Sequence, residues 1–211
     1  LKRKIVCLTA YSKPFAKILD KYCDIILMGD SVATAFYGMK NTREINLDTM
    51  INHAISVRKS TNKSLLVFDM PFNTYRNINE AKKNVKKVLL KTNCDAIKLE
   101  SNGKNFKILK NLANSGIKVM GHIGYTPQYK KYFSPQGLKH NEEIKLIKEA
   151  KNIEDAGAFA IVLECVNVSL AKKITKNLQI PTIGIGSSKY CDGQILVLDD
   201  LIGLSGFYPK F

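Results

Sequence analysis

Four acidic residues and a histidine stand at matching places in the chain, each closing a short apolar run. Ile26-Leu27-Met28-Gly29 is followed by Asp30, Leu66-Val67-Phe68 by Asp69, Ala96-Ile97-Lys98-Leu99 by Glu100, Gly121 by His122, and Val162-Leu163 by Glu164. One carboxylate after such a run has an ordinary reading, because Asp is favoured at the N-cap of the helix that follows a strand. Four converging on one rim would repel one another in a partly desolvated setting and drive their own protonation upward. A cation relieves that repulsion. Oxygen donors suit Mg²⁺ or Mn²⁺, whereas zinc prefers imidazole and thiolate.

Lys98 and Glu100 are two residues apart and so project from one side of a strand. A lysine flanked by Ile97 and Leu99 is not a solvated charge; it is either a buried partner of Glu100 or an ammonium that offsets the charge of an anionic substrate beside the metal. His122 reads as a core histidine or, given its place on the same rim, as a hydrogen-bonding group to substrate or to the metal's surroundings. Gly184-Ile185-Gly186 marks a place where a ligand or a neighbouring backbone approaches closely. It has no context for a dinucleotide fingerprint.

These residues need a scaffold that brings strand ends together. The apolar β-type runs fall at 5–9, 25–29, 64–69, 96–100, 117–121, 160–164, 182–186 and 194–198. Several are continuous rather than alternating, as expected for parallel strands covered by helices. Between them lie amphipathic stretches. Ala81, Val85, Val88 and Leu89 share a face over 77–91, and Phe106, Leu109, Leu112 and Ala113 form a second stripe ending near Gly116. Ile144, Ile147, Ala150 and Ile153 form a third, and Leu170, Ala171, Ile174 and Leu178 a fourth. Strand–helix alternation implies right-handed βαβ units. Eight strands favour a single (β/α)8 barrel domain over residues 1–211, with an open doubly wound sheet as the alternative. The connection from Gly186 to Gln194 is too short for a full helix, and the eighth helix is expected to be lacking.

Composition limits the function classes. Hydrophobic residues make up 45% and charged residues 24% of the 211, an ordinary globular balance. No apolar run approaches the roughly 18 residues that cross a bilayer. The five-residue apolar stretch behind Lys2-Arg3-Lys4 is too short for a secretory core of about 7–15 residues, so a cytoplasmic protein without a membrane partner is expected. The net charge of +15 invites a nucleic-acid reading. Only four of the 33 basic residues are arginine (Arg3, Arg43, Arg58, Arg76), and arginine is the side chain suited to bidentate phosphate contacts. The lysines accompany abundant Asn and Ile, as AT-rich codons would produce. No nucleic-acid partner is therefore expected. Cys7, Cys23, Cys94, Cys165 and Cys191 are odd in number and match no zinc or disulfide spacing; they read as reduced, small hydrophobes.

An ordered set of segments carries a resemblance. Thr9-Ala10-Tyr11, Gly29-Asp30-Ser31, Asp69-Met70-Pro71-Phe72, Lys98-Leu99-Glu100, Gly121-His122-Ile123-Gly124-Tyr125-Thr126-Pro127-Gln128, Leu163-Glu164-Cys165-Val166, Ile180-Pro181-Thr182-Ile183-Gly184-Ile185-Gly186 and Asp192-Gly193-Gln194-Ile195-Leu196-Val197 resemble the ketopantoate hydroxymethyltransferases. The resemblance spans nearly the whole chain. It implies transfer of a one-carbon unit from 5,10-methylenetetrahydrofolate, the co-substrate, to 3-methyl-2-oxobutanoate. It implies one Mg²⁺ per subunit held by Asp30, Asp69 and Glu100. It further implies contacts to the keto acid from Asp30, Ser31, Asp69 and Lys98, joined in our reading by His122, with Glu164 as proton acceptor, in a homo-oligomer of barrels.

The chain departs from the family pattern at Ser12, where Asp is usual, at Asp199-Asp200, where His-Asp is usual, and in a shortened loop at 133–139. The helix expected before strand one is missing, and the match breaks off at Pro209-Lys210-Phe211. Two other readings stay open: a different Mg²⁺-dependent barrel lyase acting on a keto acid, and a truncated, inactive remnant.

Overall fold

The structure, a computed structural model, describes residues 3–206. Eight parallel strands follow one another in sequential order as a closed barrel. The chain divides into two compact units, one formed by residues 5–97 with the chain from Ile195 onward, the other by residues 98–194 with those before Ile5.

The first unit contains β1 (Ile5–Thr9), α1 (Lys13–Leu19), β2 (Ile25–Met28), α2 (Val32–Ala35), a 3₁₀ turn (Thr42–Glu44), α3 (Leu47–Arg58), β3 (Leu65–Asp69) and α4 (Ile78–Thr92). Cys7 lies opposite Ile25 in the β1–β2 pair, and Ile25 opposite Leu65 in the β2–β3 pair. β2 is buried along its whole length, which explains its continuous apolar run. Asparagines start the longer helices: the Asn46 side chain accepts the Thr49 N–H and that of Asn77 accepts the Glu80 N–H. Each such cap stabilises its helix by about 1 kcal/mol. α4 buries Ala81, Val85 and Val88 and leaves Lys82, Lys83 and Lys86 in solvent, so the lysine excess here is a solvated face. Helices α1 to α3 are not among the stretches anticipated from the sequence. The first two are too short to show a period, whereas α3 does carry a regular buried stripe, Met50, Ile51, Ala54 and Val57, that the sequence reading passed over.

β4 (Ala96–Glu100) leads into the second unit, with α5 (Phe106–Asn114), β5 (Val119–Gly124), α6 (His140–Asp155), β6 (Ala160–Glu164), α7 (Val168–Asn177) and β7 (Thr182–Ile185). Met120 lies opposite Ala160, Gly124 opposite Glu164, and Ile161 opposite Thr182. β8 (Gly193–Leu196) then returns the chain to the first unit, where α8 (Leu198–Leu201) follows.

Three expectations need adjustment. The fifth strand was expected at 117–121, but the Ile117 N–H still donates to the Leu112 carbonyl, closing α5 after Gly116 at φ 81°. The strand starts at Val119 and runs to Gly124, so His122 lies within it rather than after it. The inward face of α6 is Leu146, Glu149, Ala150 and Ile153, and Ile144 is 53% exposed. The stripe was misread because a polar residue, Glu149, sits on the buried side, where it accepts the Ser101 hydroxyl at 2.5 Å. The expected eighth strand, 194–198, ends at Leu196 because the Leu198 N–H turns to the Thr9 hydroxyl at 3.0 Å and opens the four-residue α8. Pro209-Lys210-Phe211 lie outside the described residues. No helix among the described residues is long and apolar enough to cross a membrane.

Candidate active site

In the first unit, strand β2 runs into Asp30 and β3 ends on Asp69. The Asp30 N–H donates to Asp69 Oδ2 at 3.4 Å, so the backbone of one strand end orients the carboxylate of the next. Ser31 caps α2, and its Oγ lies 2.8 Å from the Tyr11 hydroxyl. His53 Nδ1 meets the Tyr11 carbonyl at 2.7 Å, and its Nε2 meets the Tyr37 hydroxyl at 2.8 Å. Burial pushes the Tyr11 phenol well above its usual range, against the opposing effect of the Ser31 hydrogen bond. It stays a neutral hydrogen-bonding group. Ser12 caps α1 without a side-chain bond. Asp199 enters the first turn of α8, where burial, and secondarily Asp200, raise its carboxyl above the usual value.

In the second unit, every residue of β4 and β5 is buried. Lys98 is 4% exposed, Glu100 1% and His122 2%. A cation and a carboxylate do not remain at such depth without charge compensation. The His122 ring lies between two carboxylates: Nδ1 is 3.6 Å from Glu100 Oε1 and Nε2 is 3.1 Å from Glu164 Oε2. The other oxygen of Glu100 accepts the Gln128 N–H at 3.0 Å. Glu164, at the end of β6, keeps 17% of its side chain exposed and is the member of this row best able to reach a small molecule. The row sets a partly exposed carboxylate against a buried imidazole ring.

Two glycines explain the local sequence. Gly124 adopts φ +97°, and a Cβ there would fall 2.1 Å from the Glu164 carbonyl oxygen. Only glycine lets the end of β5 pass this close to Glu164. The close approach from protein atoms at Gly184 comes from side chains, Gln194 and Cys191, at 3.0 and 3.1 Å from a would-be Cβ, rather than from a backbone.

The structure thus brings Asp30 to Asp69, Ser31 to Tyr11, and Glu100, His122 and Glu164 into one row. Among the described residues, no group of three or more His, Cys, Asp or Glu side chains is drawn together as a ready metal site. Gln128 and Glu149 were not singled out from the sequence, although Gln128 closes the Tyr125-Thr126-Pro127-Gln128 segment. A backbone N–H that recognises Glu100 leaves no side-chain signature.

The family described as Ketopantoate hydroxymethyltransferase matches residues 1–211. The 3-methyl-2-oxobutanoate hydroxymethyltransferase of Pelagibacter ubique is 51% identical over 210 residues, covering 100% of this chain and 82% of that protein. The chain belongs to the ketopantoate hydroxymethyltransferase family. The enzyme of the same name from Anaplasma marginale is 47% identical over 211 residues, covering 99% of this chain and 76% of its own length. Among solved structures, 2,3-dimethylmalate lyase, a PEP mutase/isocitrate lyase superfamily member, matches with a TM-score of 0.69 at 13% identity, over 97% of this chain and 79% of that one. That likeness concerns the barrel. The ketopantoate hydroxymethyltransferase assignment accounts for the ordered strand-end segments, which a shared barrel alone would not supply.

Proposed function

We propose that this chain transfers a hydroxymethyl group from 5,10-methylenetetrahydrofolate to 3-methyl-2-oxobutanoate, giving 2-dehydropantoate for pantothenate biosynthesis. Family membership over the whole chain supports the reaction. The observation that carries the mechanism is Glu164 at the end of β6, with the His122 ring 3.1 Å behind its carboxylate.

The C3 proton of the keto acid is weakly acidic, so a positioned base must take it. Glu164 takes that proton, and the C–H electron pair becomes available to attack the methylene carbon of the folate. That attack breaks one of the carbon's two C–N bonds; water displaces the second, leaving the CH2–OH group on the keto acid and releasing tetrahydrofolate, whose nitrogens take up the proton from C3 and one from water. Lys98 neutralises the keto acid's carboxylate, while Asp30, Ser31, Asp69 and His122 orient it. Asp30, Asp69 and Glu100 are proposed to hold one Mg²⁺ per subunit. They fit the ion chemically: all three are buried carboxylates, and hard cations select oxygen donors. When bound, the ion supplies Lewis-acid stabilisation of negative charge on the keto acid's oxygens. We place this activity in one catalytic domain, in a cytoplasmic homo-oligomer.

The test is ¹H NMR of 3-methyl-2-oxobutanoate in D₂O with the protein and Mg²⁺, followed by addition of methylenetetrahydrofolate. The expected result is loss of the C3 proton signal without folate, and 2-dehydropantoate only with it. Folded protein that leaves the C3 signal at the background rate would refute the proposal.

A further inference from the structure

The loop after β5 is held down by polar ties, and one side chain makes two of them. The Tyr129 and Lys130 N–H groups both donate to the Thr126 carbonyl at 2.9 Å, a tight turn that sends the Lys130 side chain back toward the strand. Its ammonium donates to the Gly124 carbonyl at 2.6 Å and to Gln136 Oε1. Gly124 ends β5. Gln136 pairs with the exit of β6: its N–H donates to the Cys165 carbonyl at 2.8 Å, and its carbonyl accepts the Asn167 N–H at 2.9 Å. One cation therefore joins both ends of the loop.

Between those ends lie the contacts to the proposed chemistry. The Tyr125 N–H donates to the Glu164 carbonyl at 2.8 Å, and the Gln128 N–H donates to Glu100 Oε2. Cys165, directly after Glu164, has φ 53°, a conformation a non-glycine residue keeps only when its surroundings enforce it. Apolar packing adds the edge contact of the Tyr125 and Phe133 rings, centroids 5.2 Å apart. Tyr132, Phe133 and Leu138 are exposed, and the loop borders a cavity of about 310 Å³ lined by Thr126, Lys130, Gln136, Glu142 and Glu149. Half-buried, Lys130 loses its proton more readily than a surface lysine, chiefly through desolvation, with Glu149 opposing the effect more than Lys145 adds to it.

We propose that Lys130 is a positioning residue: by tying Gly124 to Gln136 it fixes the 125–136 loop, and through that loop the carboxylates of Glu100 and Glu164. The inference rests on the transferase reading for its kinetic arm. Its structural arm, amide hydrogen exchange, stands apart from that reading.

Lys130→Met keeps the aliphatic stem and removes the ammonium. Amides of 125–136 are expected to exchange at least about tenfold faster, while those of α4 keep their protection. Small misplacements of reacting groups cost up to about 10²-fold in rate, so kcat is expected to fall roughly 10- to 100-fold, with KM for the keto acid changed less than about threefold. Lys130→Arg should restore both readouts to within about threefold, and Gln136→Leu, which leaves the lysine in place, should loosen the same amides. Unchanged loop protection in Lys130→Met overturns the proposal, as does a loosened loop with kcat within twofold of the parent. If the parent chain shows no transferase or exchange activity, the transferase reading fails, and the exchange data alone decide whether Lys130 fixes the loop.

Discussion

Acidic residues occupy both ends of the strands, and the two sets meet different neighbours. At the N-terminal ends, Asp24, Asp95 and Asp192 each sit one residue before a strand and close onto the strand before it. Val6 N–H donates to Asp24 Oδ2 at 3.0 Å, Leu66 N–H to Asp95 Oδ2 at 2.8 Å, and Thr182 N–H to Asp192 Oδ2 at 2.9 Å. A buried cysteine precedes each one, Cys23, Cys94 and Cys191, so a Cys-Asp pair packs its thiol inward while its carboxylate bonds backbone. Asp20 extends the pattern, accepting the N–H groups of Asn62, Lys63 and Ser64. At the C-terminal ends, the Asp69 carboxylate meets the Asp30 N–H in one unit, and in the other Glu100 and Glu164 flank the His122 ring. The N-terminal set closes onto the preceding strand; in the C-terminal set Asp69 and Glu100 also accept a backbone amide, but Glu100 and Glu164 flank a histidine ring as well, and this is the set we propose serves a cation or a proton. This division matches the general rule that barrel chemistry sits at the C-terminal ends of strands.

Substitutions can break that comparison, and the largest effect is expected at Glu164. Glu164→Gln should slow C3 proton exchange at least about 10²-fold, the range of general-base catalysis, with the melting temperature changed by less than about 2 °C in a thermal melt. A melt shifted as far as the rate would move Glu164 into the structural set. Gly124→Ala comes next, because the new methyl meets the Glu164 carbonyl. Steady-state kinetics on the folded fraction should show kcat reduced by about tenfold or more, and denaturant titration a loss of roughly 1–3 kcal/mol for the strained backbone.

The opposite signature is expected at Asp20. Asp20→Asn removes charge-assisted bonds to backbone amides and should cost about 2 kcal/mol in urea unfolding, with activity per folded molecule unchanged. Three backbone N–H donors outweigh the burial that would otherwise raise this carboxyl, and hold it below the ordinary 3.8. Its contribution is therefore fully present above about pH 4 and is lost as the pH falls further, through the depressed native value. Urea titrations of the parent and of Asp20→Asn should stand apart above about pH 4 and draw together as the pH falls through the depressed native value. The smallest effect is expected at Asp24, where Asp24→Asn should cost about 1 kcal/mol and leave exchange chemistry untouched.

The burial of the strand-end acids was legible because its signal is local. Each acid follows an apolar run, and the strand period carries it to the inner side, as for Lys98 and Glu100. What escaped the sequence was written in hydrogen bonds rather than in patterns. Glu149 looks like a surface residue until the Ser101 hydroxyl is placed beside it, and its presence on the inward face of α6 shifted the predicted stripe onto Ile144. The three Cys-Asp pairs lie in plain view, but their role depends on which backbone amide each carboxylate finds. Helices α1 and α2 are shorter than the window over which a helical period shows.

The central claim, that the C-terminal strand-end acids serve a cation while the N-terminal ones serve the backbone, is tested most directly by Mn²⁺ titration followed by electron paramagnetic resonance. The parent chain is predicted to bind one ion. Asp69→Asn and Glu100→Gln should each weaken that binding by about tenfold or more, and Asp24→Asn should bind as the parent does. A parent chain that binds no Mn²⁺, or an Asp24→Asn variant that loses it as fully as Asp69→Asn, would contradict the account.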